Sequence, residues 1–415
     1  MTQAAEIVAA EQNRNNALQP KKLASTEPLP HVGYLDGLRG LAVLGVLAVH
    51  CAASTSQVSR FSWPFFGGSA GVELFYAVSA FTLFLSMDAR AGEWHETRNF
   101  LFRRFFRIAP LFYITIFLSW CRLQLPFVHG YRPTKTDYLL GALFLFGFKP
   151  ATISSIVVGG WSIAVETTFY GFLPLLHARI RSVWGALLAF VVSYATLIPF
   201  SHYLGRRYPE YEGYFGIAWF PAQVPMFLMG ILIYFTARKL LSSRSSTTLR
   251  CISVVLLAVS VTGFFLRHAH PVRLVEVDYP IDIFLVGGVL LSVALHPWVV
   301  LDNAVMRFIG KVSYSVYLLH FFVLEILLKV VPAITHSPNT FFGFEFGHLS
   351  SFFVLLAVLL AVSLVVANLS WRYIEQPGIA LGRRLLKHFG QTRPPDPSVF
   401  LPGTSRCDDM TDAPL

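Results

Sequence analysis

Apolar residues along this chain come in long unbroken blocks rather than in alternation with polar ones. Runs of about 20 residues, enough at 1.5 Å per residue to cross a hydrocarbon core, fall near 38–54, 69–86, 105–122, 158–176, 182–200, 215–236, 250–266, 281–297, 308–332 and 348–369. None shows the two-residue alternation of a half-buried strand. A further apolar run at 138–148 is too brief to cross and is expected to be a half-helix or re-entrant piece. The pattern predicts an all-α, polytopic transmembrane helical bundle of about ten spans.

The polar stretches between these blocks set the organisation. Residues 1–32 hold Glu6, Glu11, Arg14, several Asn and Gln and three Pro. They contain no apolar core of signal-peptide type, so the first span is expected to be an uncleaved anchor. Residues 389–415, with Pro394, Pro395, Pro397 and Pro402 and few apolar positions, are expected to be a disordered tail like the first. The expected domains are a 1–32 tail, a 33–388 membrane domain and a 389–415 tail, with only short loops inside the middle one. Ten crossings put both termini on one side. Most of the 33 lysines and arginines then fall on that side, among them Arg103, Arg104, Arg107, Arg179, Arg181, Arg238, Lys239, Arg383 and Arg384, and the positive-inside rule makes that side the cytoplasm.

Composition agrees and narrows the classes. Hydrophobic residues make up 54% and charged residues 13%, with a mean hydropathy of +0.57, against roughly 25% charged in soluble domains. The net charge of +10 is accounted for by inner-face bias, so a nucleic-acid partner is not expected. Cys51, Cys121, Cys251 and Cys407 lack metal-ligand spacing and read as small apolar filler. His268 and His270 have no acidic or cysteine company, so no metal site is expected.

Against this apolar background the ionisable residues inside spans carry the candidate chemistry. Arg39 and His50 lie eleven residues apart in one helix. That spacing returns nearly to the same azimuth about 16 Å further along. An unpaired polar group in hydrocarbon costs several kcal/mol, so the pair is expected to line a cavity reaching from the inner surface toward the bilayer middle. Arg104 and Arg107, at i and i+3, present planar forks on one face. They read either as ordinary topology anchors or, with Arg39 at the same level, as an anion site for a phosphorylated cytosolic molecule. Glu73 and Glu166 are expected within several ångströms of the depth of His50. Either carboxylate, accepting from one imidazole nitrogen, would raise the basicity of the other. Ser313, Tyr317 and His320, at i, i+4 and i+7, form a polar stripe that serves either as cavity lining or as packing glue between helices.

Taken in order, Asp36-Gly-Leu-Arg39-Gly with His50, Gly71-Val-Glu73-Leu-Phe, Arg104-x-x-Arg107 before Pro110, Trp161-Ser with Glu166, Ser313-Tyr314 with Tyr317 and His320, and Arg372-Tyr373-Ile374-Glu375-Gln-Pro377 resemble the acyltransferase-3 family of integral-membrane acyltransferases. The likeness runs from residue 34 to about 378. Where that family usually has Ser-Gly-Phe in the second span this chain reads Ser79-Ala80-Phe81, which predicts a less close backbone approach there.

The resemblance implies a multi-pass protein of a bacterial inner membrane that moves an acyl group, commonly acetyl, from cytosolic acyl-coenzyme A to a hydroxyl of a surface glycan or glycolipid presented from the far side. Arg39, Arg104 and Arg107 would hold coenzyme phosphates. Trp161, Tyr170, Ser313, Tyr317 and His320 would line the cavity. His50, oriented by Glu73 or Glu166, would act as general base, or a protein group would be transiently acylated. Acyl-coenzyme A enters as co-substrate and no bound cofactor is implied. The competing class is a proton-coupled transporter of an anionic or acylated substrate, since intramembrane titratable chains also mark proton relays. No similarity between two halves of the chain supports it.

Overall fold

In a computed structural model of the chain, residues 33–54, 68, 70–125, 132–149, 152–153, 156–209, 218–268, 275–330 and 348–389 are described. The two tails, apart from Phe389, fall outside them, as do Cys407, His270 and the side chain of His268.

The described residues are helical throughout, with no strand among them. In chain order the helices are α1 (Gly33–Ser54), α2 (Ala70–Ala89), α3 (Glu96–Leu123), α4 (Lys135–Ala142), α5 (Trp161–Arg179), α6 (Val183–Arg207), α7 (Phe220–Ser243), α8 (Ser246–His268), α9 (Val275–Leu295), α10 (Ala304–Lys311), α11 (Ser313–Val330), α12 (His348–Ser370) and α13 (Gln376–Phe389). Each predicted spanning run falls on a helix or, for 308–332, on two. Among the described residues, seven stretches are long and apolar enough to cross a membrane: α1, α2, α6, α7, α8, α11 and the continuous segment Phe352–His388. The other three runs fall on α3, with Arg98, Arg103, Arg104 and Arg107 in its first half, on α5, with Glu166, and on α9, whose apolar part is Ile281–Leu295. The chain is a multi-pass integral membrane protein.

Burial sorts these helices by position. In the most apolar part of α2, 83% of residues are buried, against 18% in α6 and 17% in α8. Thus α2 is the central strut, packed on α1, α7 and α9, while α6 and α8 present apolar faces outward. Ala80, in the departure from Ser-Gly-Phe, does not loosen this packing. The partner helix α7 places Gly230 there, so close that a Cβ on it would sit 2.3 Å from the Ala77 carbonyl oxygen and 3.0 Å from the Ala80 methyl. The expected looser approach is corrected: a glycine on the facing helix, Gly230, gives the close backbone approach beside Ala80.

The run at 138–148 is indeed too short to span. Thr134 starts α4 with a capping box, its hydroxyl accepting from the Asp137 N–H and the Asp137 carboxylate from the Thr134 N–H. Phe144, at φ 58°, then turns the chain into a 3₁₀ turn at Phe146–Phe148.

The run at 308–332 is two elements, α10 and α11, divided at Val312. The break lets α10 cross α1 at backbone contact, and a Cβ on Gly310 would lie 1.8 Å from the Asp36 carbonyl oxygen. This crossing fixes the start of α1, from which Arg39 projects. Beyond α12, residues Trp371–Glu375 form a π-helical turn before α13, a feature that often marks functional sites.

Candidate active site

A cavity of about 80 Å³ opens among α1, α2, α3, α5 and α11. Arg39, Arg104 and Arg107 line it with Glu166, Tyr170, Ser313 and Tyr317, so helical periodicity brought these seven predicted site residues to one place. The volume is well under the roughly 300–1,000 Å³ of ordinary small-molecule pockets.

The arginines differ in what already holds them. Arg39 donates to the Asp36 carboxylate at 2.7 Å and to Thr82 Oγ1 at 3.1 Å, so its fork is anchored by its own helix and by α2. Arg104 is only 8% exposed, with its guanidinium carbon 5.8 Å from the Phe100 ring centre and 6.0 Å from that of Tyr170. It makes no hydrogen bond to a described residue, and its Nε is buried without a partner. Arg107 lies in the field of Glu375, which the π-helical turn brings to 1% exposure beneath the cavity, where it accepts from Ser315 Oγ. The neighbouring Arg103 turns away and grips Glu93 with both terminal nitrogens, at 3.1 and 2.8 Å.

Glu166 sits on the cavity wall with Oε1 accepting from Ser79 Oγ at 2.7 Å and from Tyr170 O–H at 2.6 Å. Arg104 lies within its field. The far end of the cavity is a layer of Phe75, Ser162 and Tyr317. Ser162 Oγ donates to the Tyr317 hydroxyl at 2.7 Å, the Tyr317 O–H donates to the Gly159 carbonyl at 3.1 Å, and the Phe75 ring meets Tyr317 edge-on at 6.1 Å.

Beyond this layer lies His50, partly exposed and outside the cavity lining. His320, three residues along α11 from Tyr317 and so about 4.5 Å further, packs its ring centre 5.2 Å from that of His50. Phe321 lies 4.4 Å from His50 and 4.1 Å from His320. His50 bonds to neither carboxylate: Glu166 is engaged as described, and Glu73 is elsewhere. The positions of Gly71 against Ala42 and Val46 set the register of α2 on α1. From Val46, His50 is four residues one way and Glu73 two the other, about 9 Å apart in depth. Glu73, 8% exposed, lies in the fields of Arg267 and Asp282 from α8 and α9, with one carboxylate oxygen unpartnered. The expected carboxylate–imidazole contact is therefore absent.

Of the remaining candidates, Trp161 meets Tyr76 edge-on at 6.5 Å and does not line the cavity. Its neighbour Ser162 does, and the i, i+4, i+8 row Ser162, Glu166, Tyr170 was the signal that would have found it. Ser79, Tyr314 and Glu375 also contribute. Tyr314 lies beside Ser313 and donates to the Ile108 carbonyl at 2.8 Å. No cluster able to hold a metal ion occurs among the described residues.

The acyltransferase-3 family, described as an acyltransferase domain, matches residues 32–368. The chain belongs to that family. The acyltransferase is 26% identical over 295 residues to a putative acetyltransferase of Acidianus two-tailed virus, covering 70% of this chain and 82% of that protein. It is 24% identical over 379 residues to a putative peptidoglycan O-acetyltransferase of Bacillus subtilis, 83% of this chain and 54% of that one. To the peptidoglycan O-acetyltransferase OatA of Listeria monocytogenes it is 23% identical over 386 residues, 84% and 56%. The acyltransferase thus spans little more than half the length of those two bacterial relatives. No solved structure matches it.

Proposed function

We propose that this acyltransferase moves an acyl group, acetyl in the first instance, from cytosolic acyl-coenzyme A onto a hydroxyl of a glycan or glycolipid presented from the opposite face of a bacterial inner membrane, with both termini cytoplasmic. The observation that carries the reading is the polarity of the site along the bundle axis. The cavity lining carries Arg104 and Arg107 at one level and Phe75, Ser162 and Tyr317 at another, and His50 lies past Tyr317 through His320. Phosphate oxygens suit planar guanidinium forks. The likeness to a putative acetyltransferase and to peptidoglycan O-acetyltransferases favours acetyl and a carbohydrate acceptor.

In this reading the acceptor hydroxyl comes to His50 from the side remote from the arginines. His50 takes its proton as the oxygen attacks the thioester carbonyl, the carbon–sulfur bond breaks, and coenzyme A leaves as the thiol. Such general-base assistance is worth about 10²–10⁴-fold. Ser162 and Tyr317 stand between thioester and base, so their hydrogen bond must part for the groups to meet. The transporter reading gains no support from the site, whose polar residues gather around one cavity.

The test is His50→Gln, assayed in purified protein for acyl transfer, for coenzyme A release and for acyl-coenzyme A affinity. Transfer should fall by two or more orders of magnitude while affinity, set at the arginine end, stays within a few-fold. Near-normal turnover would remove His50 from the reaction, and absence of coenzyme A release from the unaltered protein would sink the donor assignment.

A further inference from the structure

Resting on the reading of His50 as the base, we infer that His320 is its positioning residue, accepting a hydrogen bond from the His50 ring on Nε2. A neutral imidazole would then do what sequence spacing assigned to a carboxylate.

His320 is wholly buried on α11. Its Nδ1 lies 2.6 Å from the Tyr317 carbonyl oxygen. A carbonyl only accepts, so the proton sits on Nδ1 and the lone pair on Nε2. That Nε2 is buried and has no partner. A buried acceptor left unsatisfied is costly and rare in folded proteins. Apart from the Tyr317 and Val316 carbonyls, which only accept, the rings against His320 are Tyr317 at 5.9 Å and Phe321 at 4.1 Å between ring centres, with His50 beside them. The group at hand with an N–H to offer is His50. Its ring centre is 5.2 Å away and the two planes are tilted by 32°, near the separation of about 5 Å for two imidazoles joined by one N–H···N bond. A rotation of the His50 ring about its Cβ–Cγ bond brings the proton to Nε2. Phe321 lies against both rings and confines that rotation.

The consequence is a fixed tautomer. With one His50 nitrogen donating to His320, the other carries the lone pair and faces the partly exposed side, where an acceptor hydroxyl would arrive. The oriented proton acceptor forms without a carboxylate, and with no buried net charge at that depth.

Three variants and one spectroscopic measurement test this. His320→Leu removes the acceptor at similar size. The turnover number should drop at least tenfold while KM for acyl-coenzyme A stays within a few-fold. His320→Gln retains an acceptor oxygen and should recover most of the loss. Combining His320→Leu with His50→Gln should cost no more than His50→Gln alone, because two residues acting as one unit are not additive. Equal impairment of His320→Leu and His320→Gln, or additive losses in the double variant, would overturn the inference.

Nitrogen-15 spectra of histidine-labelled protein in bilayers give a readout independent of catalysis. A coupling between the two rings, one nitrogen protonated and its partner not, is expected in the unaltered protein and in none of the variants. Its absence would overturn the His320 contact even where His50 proves essential, whereas an active His50→Gln with the coupling present would instead sink the general-base reading. Should His320→Leu fail to fold, the Gln variant and the spectrum still decide.

Discussion

Arg104 and Arg103 are adjacent in sequence and opposite in expected effect. Arg104 is buried against two aromatic rings and bonds to no described residue, so its guanidinium N–H groups are available to a ligand in the cavity. Replacing it by Ala removes a charge-assisted contact of about 1.5–3 kcal/mol. At 1.4 kcal/mol per factor of ten this is a roughly 10–150-fold weaker affinity for acetyl-coenzyme A. Arg103 instead grips Glu93, whose carboxylate is 1% exposed. Its removal leaves that acid without its partner, at a cost on the order of 3 kcal/mol to stability, with affinity unchanged. Calorimetric titration of the purified variants with acetyl-coenzyme A, beside their thermal unfolding in the same detergent, separates the two. The reasoning fails if Arg104→Ala binds within twofold of the unaltered protein, or if Arg103→Ala loses as much affinity as Arg104→Ala.

Two other outcomes follow from the packing and the charge pattern. Gly310→Val drives a branched side chain into the Asp36 carbonyl, where even a Cβ would sit at 1.8 Å; a loss of at least about 1–3 kcal/mol and a displaced Arg39 should appear as poor yield and weakened donor binding, and a well-folded, fully active variant would refute the close crossing. Reporter fusions after Lys387 and within 201–214 should report opposite sides of the membrane, and finding both on one side would break the proposed orientation.

How much could be read from the chain divides along helix geometry. Within one helix, azimuth and rise are fixed by residue spacing, which is why Glu166 with Tyr170, Arg104 with Arg107, and Ser313 with Tyr317 each share a helix face and line the same cavity. A single position swings a side chain by about 100°, enough to put Trp161 outside and Ser162 inside. Between helices, depth and rotation depend on contacts that no spacing encodes. The register of α2 on α1 is set by Gly71 against Ala42 and Val46, and it sends Glu73 toward Arg267 and Asp282 instead of His50. The pairing of His50 with His320 likewise needs α1 and α11 to be neighbours, a fact of topology. The break at Val312 stayed hidden because Val312 itself is apolar and no proline marks it.

The Tyr317–Ser162 hydrogen bond gives the bundle an electrical and osmotic character as well as a chemical one. If donor and acceptor come from opposite compartments, the insulating thickness of the membrane at this protein shrinks to one ring and one hydroxyl. Any parting wide enough for a thioester carbonyl to pass also admits a water molecule, and with it a proton. Tightness and turnover are then opposed. The dwell time of the open layer sets how much of the transmembrane gradient each transferred acyl group dissipates, and a chain that closes this layer with a two-atom latch favours brief openings over long ones.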